Sequence, residues 1–119
     1  MGSPCWMAPE VVEGGGYDFR ADIWSFGITA IELAHGEAPY SDLPAMKVIL
    51  SILNNDPPKL SRERKWDPAF EALVSACLHK DPKKRPTAEQ LLKEHKKFWA
   101  KAKGIEYLHE NFIKHIPTL

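Results

Sequence analysis

The stretch DFRADIWSFGITAIELAH, residues 18–35, constrains the fold more than any other part of the chain. At helical spacing Ile23, Phe26, Ala30, Ile31 and Ala34 mark one face, while Trp24, Ile28 and Leu33 occupy others. A helix that is apolar nearly all round needs cover on more than one side. The segment therefore predicts a central strut with other helices laid against it. Asp18 provides a cap at its start and Gly36 a stop at its end.

The remaining periodic segments are also helical. Met46, Ile49, Leu50 and Leu53 recur at helical spacing and predict a second helix over 45–54, closed by the Asn54-Asn55-Asp56-Pro57-Pro58 run. That stripe reads as core; a docking surface formed by Leu43, Met46 and Leu50 is the alternative. Ser61–Lys65 is a polar, exposed linker. Asp67 followed by Pro68 opens a helix over 67–79, with Phe70, Leu73, Val74, Cys77 and Leu78 as its buried stripe. Thr87 with Gln90 three residues later forms a capping box for a helix over 87–96, whose Leu91 and Leu92 should face the preceding helix. A last amphipathic helix is expected within 105–115. With no credible strand pair, the chain reads as all-α, about five helices around the central apolar one.

Composition supports a globular domain: of 119 residues, 44% are hydrophobic and 27% charged. The formal net charge is zero, which gives no overall attraction to nucleic acid or to an anionic membrane. The charge is unevenly spread, with 6 basic and 11 acidic groups in residues 1–78 against 10 and 5 in residues 79–119. Such a basic tail reads as a solvated helical surface. Cys5 and Cys77 lack metal-ligand spacing and read as reduced thiols, and the five histidines form no zinc motif. No apolar run is long enough to span a bilayer and no secretory signal opens the chain. A cytoplasmic protein is expected, with neither nucleic acid nor membrane as partner.

Three ordered motifs carry a family resemblance. Ala8-Pro9-Glu10, preceded by Gly2-Ser3-Pro4, resembles the A-P-E motif and peptide-positioning loop of eukaryotic protein kinases. Asp22-Ile23-Trp24-Ser25-Phe26-Gly27 is similar to the start of the central helix of the kinase large lobe. Asp81-Pro82-Lys83-Lys84-Arg85-Pro86-Thr87 resembles the junction before that lobe's last conserved helix. The combination looks most like sterile-20-like serine/threonine kinases, and within them the oxidative-stress-responsive, osmotic-signalling branch, which Phe98-Trp99 and the IPTL ending favour more weakly. On this resemblance residues 1–119 form part of a kinase C-terminal lobe. Residues 1–16 are the end of the activation segment and the peptide-positioning loop, and residues 97–119 a C-terminal extension.

The resemblance also implies roles. Glu10 and Arg85 would form an ion pair joining the activation segment to the helical lobe, a geometry that a guanidinium fork suits. Asp22 would brace the catalytic loop from within; without that loop it is expected to stay solvated. Ser3, Trp6, Met7 and Pro9 would shape the place where a substrate peptide lies. Trp24, Phe26 and Gly27 read as packing. The sequence contains no GxGxxG, VAIK-like, HRD or DFG segment, and Gly14-Gly15-Gly16 reads as a turn and not a phosphate cradle. No catalytic, cofactor or metal residue is therefore assigned, and ATP and Mg2+ are expected only for a complete kinase. The expected function is a fragment of a serine/threonine protein kinase, inactive alone, with protein substrates and an upstream kinase or scaffold as partners. The alternative is a non-catalytic helical module that competes for kinase partners.

Overall fold

The computed structural model describes residues 4–101. These form an all-α fold with six helices and no strand among the described residues. The helices are α1 (Pro9–Val12), α2 (Arg20–His35), α3 (Ala45–Asn54), α4 (Pro68–Cys77), α5 (Ala88–Glu94) and α6 (Lys96–Lys101). Two 3₁₀ turns, Pro4–Trp6 and Pro82–Lys84, complete the set. The helix expected within 105–115 lies outside the described residues.

Helix α2 is the strut that the apolar stretch predicts. Trp24, Ile28 and Ile31 are fully buried, with α4 laid along one side and the Pro4–Trp6 turn on another. The helix begins at Arg20, after Asp18, whose Oδ1 accepts the Arg20 N–H at 2.9 Å. Phe19 occupies the capping position without a side-chain bond. At the other end Gly36 adopts φ 88° and donates its N–H to the Glu32 carbonyl at 2.7 Å, a left-handed stop that glycine takes without penalty. Cover is incomplete, however. Asp22, Phe26 and Thr29 share an exposed stripe, and Phe26, expected to pack, is 40% exposed. Among the described residues no element covers that stripe.

Helix α3 has the predicted bounds but buries a different face. Val48 and Ile52 point into the core towards α1 and the first 3₁₀ turn, whereas Met46 is 66% and Leu50 50% exposed. The pairs 48/52 and 46/50 each repeat at helical spacing, and two residues of offset turn one pair about 200° from the other. Ile49 and Leu53 sit between, half-buried. The end of α3 is held by Lys80, whose Nζ donates to the carbonyls of Leu53 at 2.6 Å and Asn55 at 3.1 Å.

Caps read from the sequence fix the remaining helices. Asp67 Oδ1 accepts the Ala69 N–H at 2.8 Å and starts α4, which buries Phe70, Leu73, Val74 and Cys77. Thr87 and Gln90 exchange side chain–backbone bonds of 3.1 and 2.9 Å at the start of α5. The helix expected over 87–96 is broken at His95 (φ −115°), and α6 follows. Leu91 is buried, but Leu92, one residue and about 100° round the helix, is 59% exposed. Trp99 Nε1 donates to the Leu91 carbonyl at 3.0 Å and ties α6 to α5. A run of neighbouring rings joins the end of α2 to α6: His35, Trp66, Phe70 and Phe98, at centroid spacings of 5.7, 6.2 and 5.8 Å.

Gly27 sits where α2 meets α4. A Cβ there would lie 2.8 Å from both Cys77 Cβ and Leu78 Cδ2, inside any permitted contact. Alanine normally gains about 1 kcal/mol over glycine within a helix, but overpacking costs roughly 1–3 kcal/mol. The clash falls on a Cβ held close to the main chain of α4, so the cost should win. Gly27→Ala should lower the unfolding free energy by about 1 kcal/mol and Gly27→Val by more, read from denaturant midpoints. A stabilised Gly27→Ala chain would refute the close approach of α2 and α4.

Candidate functional site

The loop Pro4–Glu10 is held to the helical body along its length. Cys5 and Ala8 are buried in the core. Trp6 is tied to α2 twice: its Nε1 donates to Glu32 Oε1 at 3.0 Å, and its carbonyl accepts the Ser25 hydroxyl at 2.7 Å. Pro9 is buried at the first position of α1, where its missing N–H costs nothing. Met7, between these pinned neighbours, is 46% exposed. The result is a stiff loop that presents one apolar side chain to solvent. Trp6 is half-buried beside it, and Pro9 supports the loop from beneath.

The far end of the loop is clamped by Arg85. Its Nη1 lies 2.7 Å from Glu10 Oε2 and its Nη2 2.9 Å from Glu10 Oε1, a two-pronged carboxylate pair. Nη1 also donates to the Arg20 carbonyl at 2.8 Å, Nε to the His79 carbonyl at 2.7 Å, and Nη2 to the Lys80 carbonyl at 3.3 Å. All five donors of the guanidinium are thus used. The Arg85 side chain is fully buried and Glu10 half-buried, with the guanidinium 5.2 Å from the centre of the Trp24 ring. The sequence prepares this placement: Asp81 and Pro82 start a 3₁₀ turn that delivers Arg85 inward, and Pro86 and Thr87 start α5 behind it. The Trp24 indole N–H is buried without an acceptor among the described residues.

Electrostatics at the clamp run in opposing directions. Burial acts to raise the Glu10 pKa, but hydrogen bonds from Arg85, the backbone amide of Glu10 and the Arg85 charge outweigh it. The carboxyl is held below its ordinary value, so it stays ionised. Near the clamp Cys77 is pushed up to about 12 by burial, with Arg85 pulling weakly the other way. Such a thiol is inert packing and no nucleophile.

The other predicted residues fall elsewhere. Asp22 is exposed in the first turn of α2. Ser3 lies outside the described residues. No group of three or more His, Cys, Asp or Glu among the described residues is arranged to hold a metal ion. Two anchors were not singled out from the sequence, Ser25 and Glu32. Their signal was available: polar side chains on an otherwise apolar helix need partners.

The comparison with known proteins settles what this arrangement belongs to. Residues 1–99 match the family described as protein kinase domain. The chain belongs to the protein kinase family. It is 50% identical over 121 residues to serine/threonine-protein kinase fray2 of Dictyostelium discoideum, covering all of this chain and 12% of that protein. It is 50% identical over 127 residues to Germinal center kinase 3 of Caenorhabditis elegans, covering all of this chain and 21% of that protein. With serine/threonine-protein kinase ppk11 of Schizosaccharomyces pombe it shares 57% over 93 residues, 78% of this chain and 30% of the relative. The chain therefore spans less than a third of these relatives. Within the family it is of the sterile-20-like, germinal-center-kinase-related type, and its helices are those of the C-terminal lobe.

Breaking one side of the clamp should be expensive, because it leaves a buried charge without its partner. Glu10→Ala in this kinase lobe should cost roughly 3–5 kcal/mol, measured by denaturant unfolding. A loss within experimental error would show that the carbonyl acceptors alone satisfy Arg85. The pair also predicts an acid dependence. Glu10 has a lowered folded pKa, so its contribution is full above the ordinary value of 4.5 and is lost as pH falls through the folded value. The stability gap between the unmodified chain and Glu10→Gln should therefore be constant from neutral pH to about 4.5 and shrink below it. A gap that widens on acidification would contradict the assigned direction.

Proposed function

We propose that this chain is the substrate-side part of the helical lobe of a serine/threonine protein kinase in the oxidative-stress-responsive, osmotic-signalling branch. Its task is to hold the peptide-positioning loop in place while a protein serine or threonine receives the γ-phosphate of ATP. One observation carries the reading. Pro4–Glu10 is pinned by Trp6 to α2 and by Glu10 to Arg85, leaving Met7 exposed between the pins. In phosphoryl transfer the protein works mainly by positioning and electrostatics, so a stiff peptide platform is a catalytic part even though it touches no phosphate.

The residues present do not fit ATP or Mg2+. The sequence has no glycine-rich phosphate loop and no HRD or DFG segment, and the described carboxylates form no metal-binding group. Nucleotide, metal and catalytic base would come from residues outside these 119. The exposed Asp22, Phe26 and Thr29 stripe of α2 supports this division, since it leaves an apolar ring and a carboxylate ready for further cover. We place Asp22 there as a brace for such a segment. The protein substrates and the cytosolic setting belong to the same proposal.

A graft tests it. Residues 1–99 should replace the matching segment of Germinal center kinase 3 and yield a chimera that phosphorylates serine or threonine peptides. Trp6→Ala or Met7→Ala in that chimera should raise KM for the peptide about tenfold or more, with KM for ATP unchanged. A folded but inactive chimera, or equal effects on both substrates, would overturn the assignment.

A further inference from the structure

The loop between α3 and α4 has no role in the reading above, yet it is unusually well fixed for a segment without secondary structure. Ser61 is its knot. The Ser61 N–H donates to His35 Nε2 at 3.0 Å, its carbonyl accepts the Trp66 indole N–H at 2.7 Å, and its hydroxyl accepts the Glu63 N–H at 3.1 Å. Burial and the charge of Arg64, opposed by Glu37 and Glu63, hold His35 below its ordinary pKa, which keeps Nε2 free to accept. Arg64 in turn lies 4.6 Å from the centre of the Trp66 ring. The backbone is therefore ordered before any partner arrives, which removes much of the entropic cost of binding.

This loop forms one wall of a groove of about 610 Å³, with α4 as the other. Pro57, Pro58, Leu60 and Trp66 give it an apolar lining, backed by Val74 of α4 and by Leu78 just beyond its end. Lys59, Arg62, Arg64 and Lys65 also line it, all four exposed, against one carboxylate among the described lining residues, Glu71, with Glu63 on the same loop outside the lining. On a chain of zero formal net charge this is a local excess of cations around an apolar floor. The chemistry that complements it is anionic at the edges and apolar at the centre.

We propose that this groove binds an acidic peptide segment carrying one apolar anchor residue. The anchor occupies the floor between Leu60, Trp66 and Val74, while flanking carboxylates meet Lys59, Arg62 and Lys65. The site stands apart from the peptide-positioning loop, so it can hold a substrate or regulator at a second point. It goes beyond the proposed kinase function and does not need it, because binding is read without phosphoryl transfer.

The probe is a fluorescein-labelled peptide with a single leucine flanked on both sides by glutamates, titrated into the 119-residue chain and followed by anisotropy. Saturable binding is expected, weakened at least about tenfold by the charge reversals Arg62→Glu and Lys65→Glu together. Those side chains are exposed, and matched melting curves confirm that the variant folds. The reversed protein should instead bind a peptide with lysines in place of the glutamates. Replacing the peptide leucine by serine should weaken binding to a similar degree. Among the tryptophan indole resonances, Trp66 should shift on binding and Trp6, Trp24 and Trp99 should not. The proposal is overturned by absence of saturation, by an equal loss with Lys83→Glu and Lys84→Glu outside the groove, or by indifference to the leucine. It is also overturned if anionic vesicles bind in an Arg62- and Lys65-dependent way while the peptide does not.

Discussion

The Arg85 guanidinium ties together the starts of α1 and α2 and the chain beyond α4. Its five donors reach Glu10 at the start of α1, the Arg20 carbonyl at the start of α2, and the His79 and Lys80 carbonyls beyond α4. Helix ends are where backbone groups are left without partners, and one guanidinium gathers several of them. A buried ion pair adds little net stability compared with apolar residues of the same shape, because desolvation offsets the attraction. Its consequence lies in geometry. Any arrangement that separates α1 from the α4–α5 junction strands a charge, so the loop carrying Met7 has one permitted position relative to the helical body.

Local chemistry made the helix boundaries legible. The Thr87–Gln90 box, the Asp67-Pro68 start and the Gly36 stop are short-range signals that no distant contact overrides, and the bounds of α3 follow its apolar run. Burial was less legible. Met46 and Leu50 repeat as regularly as Val48 and Ile52, and the sequence does not say which pair meets the first 3₁₀ turn. Phe26 and Leu92 fail for the same reason: periodicity locates a stripe, but cover is decided by neighbours remote in the chain. The break at His95 carries no glycine or proline to announce it.

The candidate site divides along the same line. Glu10 and Arg85 lie 75 residues apart, beyond the reach of any periodic argument, and only the ordered motifs brought them together. Asp22, expected to be solvated, lies exposed, because among the described residues the first turn of α2 has no neighbour on that side. Ser25 and Glu32 were visible as polar interruptions of an apolar helix. What the sequence did not disclose was that both reach the same residue, Trp6, one through its carbonyl and one through its indole.

Those interruptions explain how an almost wholly apolar helix can organise surfaces as well as a core. Polar side chains on a buried helix must find partners or lose stability, and on α2 the partners are loops. Ser25 and Glu32 take the Pro4–Glu10 loop through Trp6, and His35 takes the basic loop through the Ser61 N–H. The helix supplies partners to the Trp6 carbonyl in one loop and to the Ser61 N–H in the other. A rotation of α2 by one residue would turn all three anchors by about 100° and release both loops together. The packing of Gly27 against Cys77 and Leu78, which allows no added methyl group, opposes that rotation. The tight core contact and the two exposed surfaces are therefore parts of one mechanical element.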